Sequence, residues 1–345
     1  MNSDNKNLSE EKQIPILAHY PERFDIETQK EEMLSYLKSN GYVVIKRVAD
    51  TEKISTAKSE FWKWSTNLSK ELKKDDPETW DKHWVGNKYN GICHFINHSN
   101  FAWNTRLLPK VKETFATIWG DDDLIVSFDA GNAFRPWKYN RKWLTAGGWW
   151  HVDQNDTTGK HKKNGMVCVQ GLVTYYDATE ETGGLCLIPK SHVEFSNVCK
   201  RASSSKLGVD FVALSSNEEP LLQTGSAYLI CAKAGDLILW DSRTIHCNTP
   251  SIVDFKEIYN EKLVDKYEII RLVSYVCMVP YSHASKRVIE SRKEGFRLKK
   301  PTSHWPTEEI TTTYTCDDQP FNIDNCSDDM LSLVGFKKRN FCSIF

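Results

Sequence analysis

The chain has 345 residues, which is long for one hydrophobic core and short for two large domains. Its 45 basic and 46 acidic residues give a formal net charge of −1, so the sequence predicts no general attraction to nucleic acid or to an anionic membrane. Hydrophobic residues make up 40% of the chain, including 12 Trp, 13 Tyr and 15 Phe, which excludes a disordered protein and predicts a sizeable core.

The N-terminus and the cysteines indicate where such a protein works. Residues 1–13 are polar and predict a flexible leader without the apolar stretch of a signal peptide. No run approaches the ~18 apolar residues of a membrane span. The ten cysteines are scattered without a CxxC pair, so neither a zinc finger nor a disulfide framework is expected. We therefore expect reduced thiols in a cytoplasmic protein, whose oligomeric state the sequence does not indicate.

The first part of the chain, to about residue 120, has the pattern of helices. The stretch TQKEEMLSYLKSN predicts a helix that stops at Gly41 and is followed by the strand YVVIK. A second helix is expected over residues 51–72. The stretch NTRLLPKVKETFATIW predicts another amphipathic helix, which ends at Gly120.

From Leu124 the pattern changes to short strands. Seven runs rich in β-branched and aromatic residues are separated by Gly, Pro, Asp and Asn: LIVSFDAGNAF, GGWWHVDQ, MVCVQGLVTYYDA, GGLCLIP, SAYLICA, GDLILWD and IIRLVSYVCMVP. Such runs over some 155 residues predict a β-sandwich, jelly roll or barrel. The expected fold class is α+β, mainly β: a double-stranded β-helix (jelly roll, cupin-like) with the N-terminal helices packed on one face.

The expected domain organisation follows from these elements. Residues 14–290 are predicted to form a single catalytic domain, with a β-helix core over about 121–285. Residues 291–345 are predicted to be a C-terminal extension packed on it. The basic tract at residues 286–300 favours a solvated helix face over a phosphate-binding patch.

The segment WWHVDQ suggests a metal site. Residues two apart in a strand point to the same face, so His151 and Asp153 aim an imidazole and a carboxylate into one space. A buried carboxylate is costly unless it is paired or bound to a metal. In a jelly roll, early and late strands lie side by side, so His246 after the strand GDLILWD can join the pair. Two imidazoles and one carboxylate form the facial triad of non-haem Fe(II) oxygenases, which leaves positions open for a co-substrate and O2.

A buried arginine supplies a further indication. Arg271 lies inside the apolar strand EIIRLVSYVCMV, where an unpaired guanidinium would be expensive. The far carboxylate of a 2-oxo acid that chelates the iron would provide its anion. The alternative is a buried salt bridge to Asp241 or Glu268.

With these residues in place, the sequence resembles the phytanoyl-CoA dioxygenase-like branch of the Fe(II)/2-oxoglutarate-dependent dioxygenases. The matching features, in the family's order, are the HxD of His151 and Asp153, the segment VTYYDATEETGGLCLIPKSH, WDSRTIHCNTP around His246, and the RxxS of Arg271 and Ser274. The chain departs from the family in two places. The interval between His246 and Arg271 is longer and predicts an inserted charged loop or short helix, and Lys190 replaces a glycine in PKSH.

The resemblance implies further site residues. Gln170, Asn132, Asn248 and Ser274 are candidate contacts of 2-oxoglutarate. The alternatives are an inward Gln170 hydrogen-bonded to the backbone, a structural role for Asn132, which is the weaker candidate of the two, and an Asn248 that stabilises a turn. Trp149 and Trp150 could line the substrate pocket or belong to the core, and Arg135 could grip an anionic substrate or lie on the surface. Other positions are assigned by their context: Asn155, Asp156 and Thr157 to a polar loop at the mouth, and His94, His98 and His192 to structural roles.

The predicted function is therefore an Fe(II)- and 2-oxoglutarate-dependent dioxygenase that uses O2. It would hydroxylate or otherwise oxidise a C–H bond of a small-molecule substrate and convert 2-oxoglutarate to succinate. Two alternatives remain open: a zinc-dependent hydrolase that uses the same His/Asp/His site, and a non-catalytic jelly-roll binding protein. Arg271 discriminates against the hydrolase, which has no need of a buried cation opposite the metal.

Overall fold

The helices before the sheets begin and end largely where the sequence predicts. The computed structural model describes residues 14–157, 165–253, 268–317 and 319–336; the expected leader lies outside them. The first helix ends at Gly41, which adopts the left-handed conformation (φ 79°) and donates its N–H to Leu37 O. The helix from Thr51 begins at the Asp50 cap and ends at Leu68, four residues before the expected end, where Ser69 becomes extended.

The helix predicted from NTRLLPKVKETFATIW is two helices. The first ends at Arg106, and the second begins at Pro109, whose fixed φ suits the first helical position and whose missing N–H prevents continuation from the preceding turn. Gly120 closes the second helix in the left-handed conformation (φ 66°), as expected. In the described residues the α-helices are α1 (Lys30–Asn40), α2 (Thr51–Leu68), α3 (Trp80–His83), α4 (Asn100–Arg106), α5 (Pro109–Trp119), α6 (Phe195–Arg201), α7 (Leu221–Thr224), α8 (Lys286–Arg297) and α9 (Asp328–Val334).

Two large sheets follow. The strands are β1 (Ile16–His19), β2 (Arg23–Phe24), β3 (Tyr42–Ile45), β4 (Ile92–Cys93), β5 (Leu124–Val126), β6 (Gly131–Phe134), β7 (His151–Val152), β8 (Val169–Thr174), β9 (Gly184–Leu187), β10 (Val212–Ala213), β11 (Ala227–Ile230), β12 (Leu237–Asp241), β13 (His246–Thr249), β14 (Arg271–Val276) and β15 (Met278–Pro280). The minor sheet has the order β1-β11-β9-β13-β7-β10, and the major sheet has the order β2-β3-β12-β8-β14-β6-β4. They face each other as a jelly roll and do not close into a barrel. A small third sheet pairs β5 with β15.

The two faces of the major sheet bury different sets of side chains. Its inner face packs Leu172, Val273 and Trp240 against Leu185 and Leu187 of the minor sheet. Its outer face forms a larger cluster with the N-terminal helices, and that cluster contains the alternate strand residues Val173, Leu272 and Val276. The alternation follows from the two-residue period of a strand. The helices therefore cover one face of the sheet, as predicted.

The C-terminal segment packs against the other elements through α8. This helix is amphipathic: Val288, Ile289 and Phe296 are buried, which agrees with a solvated opposite face for the basic tract. The expected domain boundary at residue 290 falls within the helix. Arg292 is also fully buried, and it donates hydrogen bonds to the carbonyl oxygens of Val126, Pro306, Leu333 and Val334.

Within the described ranges, no helix combines the length and apolar character needed to cross a membrane. Most of the insertion expected between His246 and Arg271 lies at residues 254–267, outside the described residues.

Candidate active site

The minor sheet brings the three predicted metal ligands together. His151 begins β7 and His246 begins β13, and the two histidines are register partners in this antiparallel pair. Asp153 follows β7, where its N–H donates to Ser242 O. The donor atoms of the three side chains lie within 4.8 Å of one another, and all three residues are buried. Asp153 Oδ2 is 3.2 Å from His246 Nε2 and 3.6 Å from His151 Nε2.

Both imidazoles are oriented by backbone carbonyls. His151 Nδ1 lies 3.0 Å from Trp149 O, and His246 Nδ1 lies 2.9 Å from Thr244 O. Because a carbonyl oxygen only accepts, each Nδ1 carries the proton, and the lone pair of the neutral imidazole is on Nε2, the nitrogen on the side of Asp153 where a metal would be held. This tautomer is the one that a metal bound through Nε2 requires.

The electrostatics favour the ionised carboxyl and the neutral imidazole that metal binding needs. Burial alone would raise the pKa of Asp153, but the electrostatic influence of His304 and His151 and the close approach of both site imidazoles hold it well below its ordinary value. Burial and the neighbouring His151 lower the pKa of His246. His304 comes from the C-terminal segment, and no pattern in the sequence places it near this site.

Gln170 is attached to the triad rather than to the backbone. It lies on the inner face of β8 and donates from Nε2 to Asp153 Oδ2 over 2.8 Å. The bond fixes the orientation of the carboxylate. The register partner of Gln170 on the adjacent strand β12 is Trp240. The Trp240 ring lies 5.4 Å from that of His246, centroid to centroid. Trp240 is therefore a site residue that the sequence reasoning missed.

Arg271 is buried on the inner face of β14 without an anion. None of its three guanidinium nitrogens has a hydrogen-bond partner among the described residues. Both predicted alternative partners are engaged elsewhere, since Asp241 pairs with Arg243 at 2.6 Å and Glu268 with Lys58 at 3.3 Å. Burial lowers the pKa of Arg271, and the neighbouring Tyr275 only partly opposes this effect.

The guanidinium of Arg271 occupies the space between the sheets. It lies over the Phe134 ring, 5.3 Å from the centroid. A Cβ on Gly184 of the facing minor sheet would approach Arg271 Nη1 to 2.7 Å, so only glycine leaves room there. The φ of Gly184, 150°, also suits glycine. An unpaired buried cation facing the triad's sheet is the arrangement that a dicarboxylate ligand would satisfy.

Of the remaining co-substrate candidates, Asn132 and Asn248 face the space between the two sheets, and Ser274 does not. Asn132 shares the inner face with its partner Val273; its Nδ2 donates to Asn90 O, and its Oδ1 is buried without a partner. Asn248 is buried on β13 and approaches Tyr275 on the opposite sheet. Burial raises the pKa of Tyr275, while Arg271 and a hydrogen bond with Asn248 act in the opposite direction.

Ser274 points away from this space. It alternates with Val273 and Tyr275 and lies opposite Val173 in register, on the face that packs against the helices. Its buried Oγ has no hydrogen-bond partner among the described residues. The expectation that Ser274 contacts 2-oxoglutarate conflicts with this orientation. The adjacent residue Tyr275 lies on the inner face, which is the face that such a contact needs.

The two tryptophans before His151 have different surroundings. Trp149 stacks on the His151 ring at 5.0 Å and 12°, and Phe211 covers the same imidazole at 4.6 Å. Phe211 is 46% exposed, so it stands at the mouth of the site. Trp150 alternates to the outer face of the minor sheet and packs in a separate cluster with Val152 and Cys247. Trp150 is therefore a core residue and does not line the space around the triad.

Arg135 is neither at the surface nor beside the triad. It is 4% exposed and points to the helical side of the major sheet, where Nη1 donates to Trp80 O. Its guanidinium lies 5.0 Å from the Trp143 ring and 5.7 Å from the Trp84 ring. Burial lowers its pKa to about 10. Arg135 is therefore held in the helical layer by the Trp80 carbonyl and by the Trp84 and Trp143 rings, on the face opposite to the triad.

The polar residues after the HxD pair are held in place. Asn155 Nδ2 donates to Ser205 O and Val209 O, and Thr157 donates to Asn155 Oδ1. Asp156 accepts a short hydrogen bond from Ser196. These bonds tie the loop to the segment before β10, which carries Phe211.

Three further histidines, for which the sequence predicts structural roles, have no place in the triad. His98 Nε2 contacts Lys300 O, and burial lowers its pKa to about 3. His192 Nε2 contacts Lys38 O, which joins α1 to the turn after β9. His94 is exposed. Among the described residues, the cluster suited to a metal is His151, Asp153 and His246.

Comparison with known proteins identifies a curated relative and solved structures that are similar to this chain. A curated relative, the Ava biosynthesis cluster protein O of Aspergillus versicolor, is 24% identical over 282 residues, which cover 79% of this chain and 84% of the relative. The structure of the epimerase SnoN in complex with Fe3+, alpha ketoglutarate and nogalamycin RO matches with a TM-score of 0.50 and 12% identity, over 74% of this chain and 85% of that one. EvdMO1 matches with a TM-score of 0.45 and 16% identity, and the match spans 73% of this chain but only 50% of that one.

The family comparison is more specific. The model of the phytanoyl-CoA dioxygenase (PhyH) family matches residues 37–250, a range that includes α2, most of both sheets and all three triad residues. The predicted jelly-roll fold is confirmed by the SnoN match. The chain belongs to the phytanoyl-CoA dioxygenase family and is a non-haem enzyme of the Fe(II)/2-oxoglutarate-dependent class, with O2 as the second co-substrate.

Proposed function

We propose that this enzyme oxidises a C–H bond of a small-molecule substrate, most simply by hydroxylation, and that 2-oxoglutarate is converted to succinate in the same turnover. His151, Asp153 and His246 would hold the iron on one face. The observation that carries the proposal is that this triad and the unpaired Arg271 guanidinium occupy the same buried space between the two sheets.

The residues of the site fit both the iron and 2-oxoglutarate. The triad offers two neutral imidazole nitrogens and one ionised carboxylate, and three donors leave coordination positions for a chelating co-substrate and O2. When bound, iron, 2-oxoglutarate and O2 supply the oxidising chemistry. The protein holds the ligands through Gln170 and two backbone carbonyls and excludes water with the buried inner faces of both sheets.

We assign the distal carboxylate of 2-oxoglutarate to Arg271, whose planar fork matches a carboxylate with two hydrogen bonds. Tyr275, Asn248 and Asn132 surround this position on the inner faces and are the proposed neighbouring contacts. Gly184 provides the room that the guanidinium needs.

For the substrate, we propose a small molecule with an apolar or aromatic face. Trp149 and Phe211 flank His151, and the exposed apolar residues Leu207 and Val209 precede Phe211 in the same segment. The names of two similar proteins, one from a biosynthesis cluster and one bound to nogalamycin RO, support a natural product of moderate size. The described cysteines are all free thiols, consistent with the cytoplasm as the proposed compartment.

The proposal is tested by anaerobic calorimetric titration of 2-oxoglutarate into protein loaded with Fe(II) or Mn(II). Wild-type protein should bind 2-oxoglutarate only when the metal is present. Arg271→Ala should weaken that binding at least 100-fold, because a buried charge-assisted pair is lost. Arg271→Lys should be intermediate, since lysine keeps the charge but not the fork.

The exposed Arg141 provides the control, because Arg141→Ala removes an arginine outside the sheets and should leave the affinity unchanged. If the metal binds and 2-oxoglutarate does not, the proposal is wrong. A zinc-dependent hydrolase that uses the same triad then becomes the better hypothesis for the function. Substrates can then be screened by the release of succinate.

A further inference from the structure

Trp240 carries a hydrogen-bond donor that the protein leaves unused. Its Nε1 is buried and has no hydrogen-bond partner among the described residues. The residue is only 3% exposed, so bulk water does not supply a partner either. An indole N–H can only donate, and an unpaired buried donor costs about 1–3 kcal/mol. Trp240 occupies the inner face of the major sheet with Leu172 and Val273, so the orphan group belongs to the space between the sheets.

The position of Trp240 relates this donor to the triad. Its ring contacts the His246 ring, and its register partner Gln170 holds Asp153. Trp240 therefore lies at the metal end of the space. Arg271 lies farther along the sheet. In the antiparallel pair of β14 and β8, Val273 is opposite Thr174 and Val276 is opposite Gly171. Arg271 therefore lies beyond the Thr174 end of β8, and Gln170 lies at the other end.

Two of the unsatisfied groups of this inner face are hydrogen-bond donors, while Asn132 Oδ1, the third, is an acceptor. The guanidinium of Arg271 and the indole of Trp240 are both donors, and they lie at opposite ends of the inner face. A ligand that satisfies both must carry acceptor oxygens at its two ends. 2-Oxoglutarate has a carboxylate at each end.

We infer that the Trp240 indole N–H donates a hydrogen bond to the metal-side carboxylate of 2-oxoglutarate and is thereby a co-substrate-binding residue of this enzyme. The inference rests on the proposed function. It assigns a role to the N–H alone, since a phenylalanine ring would fill most of the same apolar space.

The test compares two Trp→Phe variants. Trp240→Phe removes the donor but keeps an aromatic ring. Trp103→Phe is the matched control: Trp103 Nε1 is also buried without a partner, but its ring packs in the helical layer against Phe296 and Phe128. The affinity of Mn(II)-loaded protein for 2-oxoglutarate is measured by calorimetry, together with the affinity for Mn(II) itself.

We expect Trp240→Phe to weaken 2-oxoglutarate binding about three- to ten-fold, as for the loss of one hydrogen bond, with Mn(II) binding unchanged. Trp103→Phe should change neither affinity. An unchanged 2-oxoglutarate affinity in Trp240→Phe overturns the inference and leaves the proposed function intact. A wild-type protein that binds Mn(II) but not 2-oxoglutarate overturns the proposed function and this inference with it.

A second measurement does not depend on the folding of the variant. In wild-type protein labelled with 15N-tryptophan and loaded with the diamagnetic Zn(II), addition of 2-oxoglutarate should shift the indole N–H resonance assigned to Trp240 strongly downfield, as formation of a hydrogen bond requires. A shift of another indole alone, such as that of Trp149 beside His151, would overturn the inference. If none of the indole resonances moves while 2-oxoglutarate binds, the inference is wrong.

Discussion

The hydrogen bond from Gln170 to Asp153 has a consequence at the level of a single residue. It occupies one carboxylate oxygen, Oδ2, and so restricts how the carboxylate can turn towards a metal. Residues that orient metal ligands typically contribute 10- to 100-fold to affinity. We expect Gln170→Leu to weaken Mn(II) binding at least ten-fold, as measured by calorimetry.

The control for this variant is Gln223→Leu, which removes an exposed glutamine far from the triad in the sequence and should not alter metal affinity. Equal Mn(II) affinity in Gln170→Leu and wild type would show that the carboxylate needs no such restraint.

At the residue scale, the sequence predicted the triad because a strand has a period of two. The same rule, applied to Trp150 beside His151 and to Ser274 beside Val273, places each on the opposite face from the site. That signal was present in the sequence. Arg135 differs, because Trp80 and Trp84, which contact it, come from a segment whose proximity only the folded chain reveals.

At the scale of elements, two helices end at glycines with the same conformation but different surroundings. A Cβ on Gly41 would lie 2.5 Å from His192 Nδ1 and 2.6 Å from Thr244 Oγ1, whereas one on Gly120 would meet nothing within 4 Å. Both residues have positive φ. Gly120→Ala should therefore cost only the backbone strain of about 1–2 kcal/mol.

Gly41→Ala adds a steric conflict with two side chains and should destabilise the protein more than Gly120→Ala does. Urea unfolding followed by circular dichroism measures both losses. Equal losses would contradict the close packing of α1 against the turn after β9.

The same elements show where sequence reasoning reaches its limit. Gly41 and Gly120 were recognisable as helix ends because few other residues accept a left-handed conformation. The strands β1 and β2 were missed. They are edge strands of four and two residues, and their extended form comes from pairing with β11 and β3 rather than from an apolar pattern of their own.

On the scale of the whole molecule, Arg292 joins the C-terminal segment to the rest. Its guanidinium binds Val126 O of β5, Pro306 O, and two carbonyls at the end of α9. Burial lowers its pKa to about 9, so the group remains charged at neutral pH. Arg292→Leu would leave several buried carbonyls unsatisfied, and we expect a loss of about 3 kcal/mol or more in the free energy of unfolding.

Arg287 on the same helix is the control for Arg292. Its side chain is 82% exposed and pairs with Glu309, so Arg287→Leu should change stability little. Urea denaturation distinguishes the two variants, and similar midpoints would mean that the carbonyls find other partners.

The overall jelly roll could be predicted because the strand runs, their turns and the spacing of the triad all indicate one topology. The position of His304 could not. Its influence on Asp153 depends on how the segment after α8 returns to the sheets, which no local pattern in that polar stretch specifies.

The pairing of β1 has a consequence for how the protein is made. Ile16 pairs with Ala227, and β1 forms the edge of the minor sheet beside β11. Because synthesis proceeds from the N-terminus, this strand leaves the ribosome long before its partner exists. It must wait without a partner until residue 230 has emerged, and by then His151 is outside the ribosome while His246 has still to emerge. The minor sheet is thus completed only late in translation. Its two pairings of greatest separation in the sequence, β1 with β11 at the edge and β7 with β13 at the metal site, become possible at nearly the same time.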